Sequence, residues 1–356
     1  MKSLGNFPDP FIAEIASQPD AVRRAAAGLD DQRAVLDDIA HASAGRTLVF
    51  TGMGSSYDAC YPAVAELARA GIAAVMLDAA ELLHFRTGML RPSTMLVAVS
   101  QSGESIEVVR VAAGLAGQAE HPVVVAITNG TANTLTSLAD LSVDTGAGEE
   151  TGPSTMTFAG SLVVLGALAR MLGGTPPGEA LERLATDAEL AAVAIECLLG
   201  DADLPERLVS WLGERETMVI LGRGPGRAAA EMGALTIKEA VGMPVESLQT
   251  GQFRHGPLEL AGPGLAAVVI ATEPETLELD LTLAEELLAT GAGVLLVTAD
   301  DQPGSGAMRV ATGPLERALA PAVSILPCQL LAWRLAGLRG RDPGAYYRAA
   351  KVTTHE

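Results

Sequence analysis

Short apolar runs alternate with stretches of helical periodicity along most of this chain. The runs predict buried parallel strands, and the stretches, in which apolar positions recur every three or four residues, predict helices. In the first half the predicted strands are Thr47–Thr51, Ala73–Leu77, Leu96–Val99, Val123–Thr128 and Leu141–Val143. The alternation predicts an α/β fold with a doubly wound, mainly parallel sheet that helices cover on both faces.

The helical stretches fill the intervals between these runs. Two helices are expected before residue 45, the second from about Asp30 to Ala44. The others are expected over Ser56–Ala70, Ile106–Ala116 and Ser154–Leu172, and then over Glu179–Leu199 and Leu204–Gly213. Gly173–Gly178, which is rich in glycine and proline, separates the last two from the rest and predicts a linker.

The pattern then repeats at a nearly constant offset. Leu221–Gly224 corresponds to Thr51–Gly54 and has glycines at the same two positions. At nearly the same offset, Val268–Ile270 corresponds to Val97–Val99, and the strand that ends at Thr298 corresponds to the strand that ends at Thr128. Correspondences that recur in the same order predict a tandem duplication.

Composition bounds the size of the protein and its partners. The 356 residues, 49% of them apolar and only 3% aromatic, are enough for two domains with cores of aliphatic side chains. The net charge of −19 argues against nucleic acid and against an anionic membrane surface as partners. An anionic ligand would therefore have to be held by local dipoles and a few well-placed cations.

The cysteines and the apolar segments predict a cytoplasmic protein. Cys60, Cys197 and Cys328 are widely spaced and odd in number, so we expect small core residues in a reducing compartment. Residues 1–8 lack the apolar segment of a secretory signal. The most apolar helix, Phe158–Leu172, is too short to span a bilayer and contains Arg170.

A serine-rich segment, Ser100–Ser105 (the serine loop), follows one predicted strand and precedes a predicted helix. Helix N-termini present backbone N–H groups and the positive end of a dipole, and both attract anions. Ser100, Ser102 and Ser105 add hydroxyl donors, and Gly103 allows the backbone to approach a ligand closely. The residues alone leave two interpretations open, a phosphate site and a helix-capping cluster without a ligand.

A second turn with glycine follows the first predicted strand. It contains Gly54, Ser55 and Ser56, and Tyr57 occupies the position of the third glycine of the dinucleotide fingerprint, which this turn therefore does not match. Together with the serine loop, this turn predicts a pocket for a phosphate monoester. Ser154, at the start of a long predicted helix, is either a further donor or a plain N-cap.

Candidate proton-transfer groups lie in the second half. Glu239 is on an apolar helix, Ala228–Val241, where burial would suit a general base, unless the side chain is exposed at the helix end. His255 lies in an Arg-His-Gly-Pro turn and is either a proton carrier or a structural histidine. Lys351, near the C-terminus, is either an imine-forming amine or a frayed terminal lysine.

Five segments resemble motifs of the sugar isomerase (SIS) family, and the resemblance covers nearly the whole chain. Gly54–Tyr57 resembles the family's GTSY loop, Ser100–Ser105 its SQSGET phosphate loop, Gly233–Glu239 its GALKLKE segment, Arg254–Pro257 its KHGP turn and Ala350–Glu356 its AKSVTVE tail. The resemblance is greatest to the isomerase half of glucosamine-6-phosphate synthase and to stand-alone relatives that isomerise or deaminate amino-sugar phosphates.

The resemblance implies two tandem SIS domains, each a mainly parallel five-stranded sheet in a flavodoxin-like three-layer sandwich. It implies N-terminal helices over 1–44, a phosphate-binding SIS domain over 45–178 and a second SIS domain with linking helices over 179–340. It also implies a C-terminal segment over 341–356 that closes the active site. It also implies a homodimer, because family members place the histidine in the neighbouring subunit's site.

The resemblance further implies a role for each candidate residue. Glu239 would move a proton between C1 and C2 of the substrate, His255 would assist ring opening, and Lys351 would contact or condense with the open-chain carbonyl. The residues that would bind the sugar phosphate are Gly54, Ser55, Ser56, Ser100, Gln101, Ser102, Ser105 and Ser154. This chemistry uses no cofactor and no metal.

Two positions depart from the family. Thr236 and Met156 stand where the synthase has lysines, and the first change removes a cation beside the reacting carbon. The sequence also shows no glutaminase segment, so we expect an enzyme that does not make its own ammonia from glutamine.

These observations predict a cytoplasmic aldose–ketose isomerase or amino-sugar-phosphate deaminase. It would act on an amino-sugar phosphate or a ketose 6-phosphate by C1–C2 proton transfer with deamination. One alternative is a deglycase that acts on a fructosyl-amine 6-phosphate, to which Thr236 adds weight. The other is a sensor that binds a sugar phosphate without turning it over.

Overall fold

The structure is a computed structural model, and it describes residues 10–300 and 306–355. The expectations for residues 1–8, and for residue 356, lie outside the described part. The chain divides into two compact units, which are treated separately below. The first unit contains Asp20–Glu150, Ser154–Glu189 and Arg348–Glu356. The second unit contains Met1–Pro19, Thr151–Pro153 and Leu190–Tyr347.

Helices and strands alternate as the apolar pattern predicts. The strands are β1 (Thr47–Gly52), β2 (Ala74–Asp78), β3 (Thr94–Val99), β4 (Val123–Thr128), β5 (Leu141–Asp144), β6 (Thr217–Gly222), β7 (Val245–Gln249), β8 (Leu265–Ala271), β9 (Gly293–Thr298) and β10 (Met308–Ala311). The helices are α1 (Pro10–Ala16), α2 (Gln18–Asp31), α3 (Arg33–Ser43), α4 (Ser55–Asp58), α5 (Cys60–Arg69), α6 (Ala79–Phe85), α7 (Ile106–Leu115), α8 (Thr134–Leu138), α9 (Met156–Leu172), α10 (Pro177–Gly200), α11 (Leu204–Leu212), α12 (Gly226–Val241), α13 (Thr250–Phe253), α14 (Leu277–Ala289), α15 (Ala320–Ser324) and α16 (Leu326–Leu338).

The two sheets have the same topology. The first has the order β2-β1-β3-β4-β5 and the second the order β7-β6-β8-β9-β10, and all neighbouring strands are parallel. The register repeats as well, since Thr47 pairs with Thr94 in the first sheet and Thr217 pairs with Leu265 in the second. The predicted α/β fold with two five-stranded parallel sheets is confirmed, and the shared order and register support a duplication.

Central strands and a few apolar helices form the cores. β3 in the first unit and β8 in the second are buried along their whole length. Such runs are typical of parallel strands that are covered on both faces. In the first unit α9 is buried along nearly its whole length and packs against α5. In the second unit α16 packs against α12.

Two helix predictions need correction, and a proline explains each. The segment before residue 45 was expected to form two helices, but its described part forms α1, α2 and α3. Pro19 lies in the first turn of α2, the position where a missing N–H is tolerated, so the chain starts a new helix there. The predicted helix Ser56–Ala70 is divided into α4 and α5 at Ala59. Pro62 cannot donate the N–H that would otherwise bond to the Asp58 carbonyl.

The expectations about cysteines and membrane segments have mixed outcomes. Cys60 and Cys328 are buried, but Cys197 is exposed, so its predicted core position is wrong. Ala320–Leu338, which comprises α15 and α16, is long and apolar enough to cross a membrane by length and composition alone. Since 83% of this stretch is buried inside the protein, it also fits a core segment and is weak evidence for a span.

Candidate functional site

The carboxyl ends of β1 and β3 place the two predicted phosphate-binding turns side by side in the first unit. The two strands are hydrogen-bonded neighbours. A Cβ atom on Gly52 would lie 2.9 Å from the carbonyl oxygen of Val99, so a glycine is needed where the strand ends meet. The backbone N–H of Gln101 donates to Oγ of Ser56 at 3.3 Å. The glycine turn and the serine loop are therefore parts of one site.

Hydrogen bonds within the serine loop fix its shape. The hydroxyls of Ser100 and Ser105 are 3.1 Å apart, and the N–H of Gly103 donates to Oγ of Ser100 at 3.2 Å. Gly103 has a φ of +66°, and a Cβ atom there would lie 2.0 Å from Oδ1 of Asn133. Glycine is thus required at this position because of the positive φ and the nearby Asn133 side chain, and its predicted role in a close approach of the backbone to a ligand stays a prediction.

The start of α7 leaves donors available to an anion. Ser105 occupies the N-cap position, but its side chain makes no capping hydrogen bond. The capping interpretation therefore does not describe this serine. Within residues 10–300 and 306–355, the backbone N–H groups of Ser102 and Ser105 have no acceptor. A helix N-terminus with N–H groups that lack an acceptor is the kind of position that attracts anions.

The carboxylate of the serine loop is engaged by another helix. Oε1 of Glu104 accepts the backbone N–H of Thr134 at 2.7 Å, and Oε2 accepts its hydroxyl at 2.8 Å. Thr134 is the first residue of α8, so the negative charge lies at the positive end of that helix. These hydrogen bonds and the helix dipole partly offset the negative charge of Glu104 beside the serine loop.

Ser154 lies in the same site and is not an N-cap. Its Oγ accepts a hydrogen bond from the hydroxyl of Ser55 at 3.0 Å. The N-cap of α9 is Thr155, and the Thr155 side chain makes no capping bond either. The N–H groups of Thr155 and Thr157 instead donate to Oε1 of Glu150, at 2.8 and 3.1 Å. The plain N-cap interpretation of Ser154 is therefore wrong.

Lys351 is held against the first unit by Glu150. Its Nζ lies 2.8 Å from Oε2 of Glu150, whose side chain is fully buried, and the lysine side chain is only 18% exposed. The interpretation of Lys351 as a frayed terminal residue is therefore wrong. Sequence reasoning missed Glu150, and the one available signal was an acidic residue shortly before a Ser/Thr helix start.

Glu239 and His255 belong to the second unit. Glu239 is half-buried in the last turn of α12, so it is neither enclosed nor fully exposed. His255 is exposed, on the turn between α13 and a short 3₁₀ helix, and the next residue, Gly256, has a φ of +119°. Thr236, also on α12, is fully buried, and its hydroxyl donates to the carbonyl oxygen of Met232 at 2.9 Å. Position 236 thus directs its polar group into its own helix.

The acidic loop after β8, Ala271–Thr276, occupies the position of the serine loop in the second sheet. Arg317 forms an ion pair with Glu273, at 3.0 Å, and a second with Glu275. Nearby, Nε of Arg223 lies 2.7 Å from Oδ1 of Asp280. Internal ion pairs occupy this region, which is unsuited to binding an anion. Among the described residues, no group of three or more His, Cys, Asp or Glu side chains is placed to hold a metal ion.

The family model for the SIS domain matches residues 42–171 and 212–338. Over its full length the chain is 29% identical to an isomerizing glutamine–fructose-6-phosphate aminotransferase from Thermococcus kodakarensis and 31% identical to one from Pyrococcus horikoshii. It covers 60% and 59% of those proteins, respectively. The chain therefore spans about three fifths of the length of these curated relatives.

Solved structures with similar folds extend over nearly the whole chain. The C-terminal domain of a glucosamine-fructose-6-phosphate aminotransferase from Francisella tularensis has a TM-score of 0.81 and 23% identity, over 96% of this chain and 98% of that domain. A glucosamine-6-phosphate deaminase from Thermotoga maritima has a TM-score of 0.73 and 20% identity, over 96% of this chain and 99% of that chain. A tagatose-6-phosphate ketose/aldose isomerase from Escherichia coli has a TM-score of 0.79 and 19% identity, over 97% of this chain and 98% of that chain.

At these identities the solved structures establish the fold alone, whereas the family model also identifies the domains. Its two matched segments cover most of the chain, and each contains one of the two five-stranded sheets. The chain therefore belongs to the SIS domain family and contains two SIS domains in tandem.

Proposed function

We propose that this chain is a phosphosugar isomerase that acts on an amino-sugar phosphate or a ketose 6-phosphate by proton transfer between C1 and C2, with deamination of the amino sugar. The observation that carries the proposal is the serine loop, whose Ser102 and Ser105 N–H groups have no acceptor in the described part of the chain. The names of the relatives and similar structures, which are sugar-phosphate aminotransferases, isomerases and a deaminase, agree with such a substrate.

In this proposal the first unit binds the phosphate group. The hydroxyls of the glycine turn and the serine loop lie at two adjacent strand ends, next to the N-termini of α4 and α7. The residues assigned to the phosphate are Ser56, Ser100, Gln101, Ser102 and Ser105, with Gly54 and Ser55 completing the turn and Ser154 near the sugar. The backbone dipoles offset the repulsion that the net charge of −19 exerts on a dianion.

The reaction itself is a proton transfer. Glu239 takes the proton from one of the two carbons and returns it to the other through an enol or enolamine, His255 assists ring opening, and Lys351 contacts the open-chain carbonyl. The position of Lys351 in the same unit as the serine loop supports its part. The exposure of His255 supports a homodimer in which this histidine serves the site of the neighbouring subunit.

Thr236 favours one second candidate, a deglycase for fructosyl-amine 6-phosphates. The synthase has a lysine at this position, whereas the Thr236 hydroxyl is fully buried and bonded within its own helix. A cation is therefore missing from the motif that contains Glu239. A different substituent on the reacting nitrogen would account for this change.

A substrate panel distinguishes these activities. We would measure ammonia and amino-acid release from glucosamine 6-phosphate, galactosamine 6-phosphate, their N-acetyl forms and fructosyl-amino-acid 6-phosphates. Ammonia from an amino-sugar phosphate supports the deaminase, and release of an amino acid supports the deglycase. If sugar phosphates bind but none of these compounds and no ketose 6-phosphate is converted, the enzyme proposal is wrong and a sensor remains.

The proton-transfer step has its own test. In D2O the wild-type protein should exchange the C1 or C2 proton of a bound substrate, and Glu239→Gln should abolish this exchange while the affinity for inorganic phosphate stays unchanged. The matched control is Glu246→Gln, an exposed glutamate of β7 in the same unit. Exchange at the wild-type rate in Glu239→Gln would assign the proton transfer to another group.

A further inference from the structure

Glu150 is a fully buried carboxylate that five donors surround in the first unit. Oε1 accepts the backbone N–H of Thr155, its hydroxyl, and the backbone N–H of Thr157, at 2.8, 3.1 and 3.1 Å. Oε2 accepts the hydroxyl of Thr157 at 2.5 Å and the ammonium of Lys351 at 2.8 Å. Four of these contacts come from the start of α9 and fix the carboxylate, and the fifth reaches a residue 201 positions away in the sequence.

The segment that contains Lys351 meets the serine-loop region at a second point. The carbonyl oxygen of Thr353 accepts the backbone N–H of Ile106, the first residue of α7, at 3.1 Å. The described part of this segment, residues 348–355 (the tail), has no helix or strand of its own. The tail therefore keeps its position through contacts with its surroundings, and the pair with a buried carboxylate is a strong one because little water screens it.

We propose that Glu150 is a positioning residue that acts through Lys351. It holds the ammonium of Lys351, and with it the tail, beside the serine loop. This inference rests on the proposed function in assigning Lys351 to the substrate carbonyl. The carboxylate itself does not contact the substrate, because its oxygens are already occupied by α9 and by Lys351.

A purely structural role for Glu150, as the cap of α9, makes a different prediction. In Glu150→Gln the amide oxygen can still accept the N–H groups of Thr155 and Thr157, so the cap of α9 is largely kept. The amide NH2 group is a donor, however, and it cannot bind the ammonium of Lys351. The substitution therefore separates the two roles.

The test measures hydrogen–deuterium exchange in the tail of the full chain, without any substrate. We expect Glu150→Gln to speed exchange of the tail amides, and of the Ile106 amide, roughly tenfold or more, because a charge-assisted hydrogen bond is lost. Lys351→Met should have the same effect, and the double variant should add nothing further. Glu149→Gln, an exposed neighbour, is the matched control and should exchange like the wild type.

Activity provides the second readout. Glu150→Gln and Lys351→Met should lower kcat by similar factors, leave the Kd of inorganic phosphate unchanged, and again combine without further loss. Tail exchange that stays at the wild-type rate in Glu150→Gln but rises in Lys351→Met would overturn the proposal, as would full kcat in Glu150→Gln. If no sugar phosphate is converted at all, the proposed function fails, while the exchange experiment still decides whether Glu150 holds the tail.

Discussion

The serine loop after β3 and the acidic loop after β8 occupy the same position in two sheets of identical strand order. In the serine loop, the hydroxyl of Ser105 at the start of α7 makes no capping hydrogen bond, and its backbone N–H has no acceptor in the described part of the chain. In the second, the carboxylates of the loop are paired with Arg317. The backbone position thus recurs in both copies, but one copy places hydroxyls there and the other places carboxylates that are paired within the protein.

The contrast continues beneath the loops. At the offset that relates the two copies, Arg223 corresponds to Met53, and Asp280 corresponds to Val109. Met53 and Val109 both pack against the apolar cluster of the first unit that contains Val108. Their counterparts form an ion pair in which the side chain of Asp280 is 1% exposed and that of Arg223 is 16% exposed. One copy supports its loop with apolar packing, and the other supports it with a buried charge pair.

The largest expected effect comes from breaking that charge pair. Arg223→Met leaves Asp280 buried without its guanidinium partner, so we expect the free energy of unfolding to fall by about 3–5 kcal/mol. Urea unfolding of the full chain measures this loss. A loss below about 1 kcal/mol, the range of exposed pairs, would mean that solvent reaches Asp280 and that the contrast between the copies is smaller than the burial indicates.

The double variant Arg223→Met/Asp280→Val tests the same contrast from the other side, since it installs the residues of the first copy. Buried ion pairs replaced by apolar residues of fitting volume are often as stable as the original. We therefore expect the double variant to recover most of the stability lost in the single variant, as a strongly non-additive double-mutant cycle. A double variant as unstable as Arg223→Met would show that packing at the second loop does not accept the apolar pair.

The next effect concerns the serine loop. Gly103→Ala puts a side chain at a φ of +66°, where its Cβ would meet Asn133. We expect a loss of about 1–3 kcal/mol in the free energy of unfolding and weaker binding of inorganic phosphate, measured by denaturation and calorimetry. The control is Gly114→Ala in α7, where nothing lies within 4 Å and alanine should stabilise the helix by about 0.5–1 kcal/mol. Unchanged phosphate affinity in Gly103→Ala would mean that the serine loop takes no part in anion binding.

Local patterns explain what the sequence could predict. The strand Val123–Thr128 was predicted with the correct bounds because an uninterrupted aliphatic run is the mark of a buried parallel strand. The serine loop was predicted because its donors are contiguous. Glu150 and the Arg223–Asp280 pair were missed because their partners lie 201 and 57 residues away, and apolar periodicity does not specify which charged groups meet.

A smaller effect appears in the pH dependence of the buried pair. Burial raises the pKa of Asp280 above its ordinary value of 3.8, although the hydrogen bond and charge of Arg223 act in the opposite direction. An acid with a higher pKa in the folded protein stabilises the fold below its unfolded pKa, and this contribution is lost as the pH rises through the folded pKa. The free energy of unfolding of the wild type, relative to the Arg223→Met/Asp280→Val variant, should therefore fall as the pH rises above 3.8.

Urea unfolding of both proteins from about pH 4 to pH 7 measures this difference, and the comparison cancels the titration of groups that they share. A difference that grows with rising pH would mean that Arg223 outweighs burial. The charge pair would then stabilise the second copy at neutral pH more than the apolar residues of the first copy would in its place.

The smallest effect compares the two copies through their thiols. Burial raises the pKa of Cys328, in α16 of the second unit, to about 12. Burial, with the neighbouring charge of Asp58, also raises the pKa of Cys60 in the first unit. Because the thiolate is the reactive form, we expect one of the three cysteines, the exposed Cys197, to react with a disulfide reagent in the native protein.

Adding denaturant to this assay orders the two copies by stability. In the Cys197→Ser variant no thiol should react natively, and mass spectrometry of partly labelled protein then reports whether Cys60 or Cys328 is exposed first. Since replacing a buried charge pair by apolar packing of the same volume is often neutral or stabilising, we expect Cys328, in the copy with the charge pair, to become reactive at the lower urea concentration. Earlier labelling of Cys60 would instead make the serine-loop copy the less stable one, as expected where backbone N–H groups of the described residues are left without an acceptor.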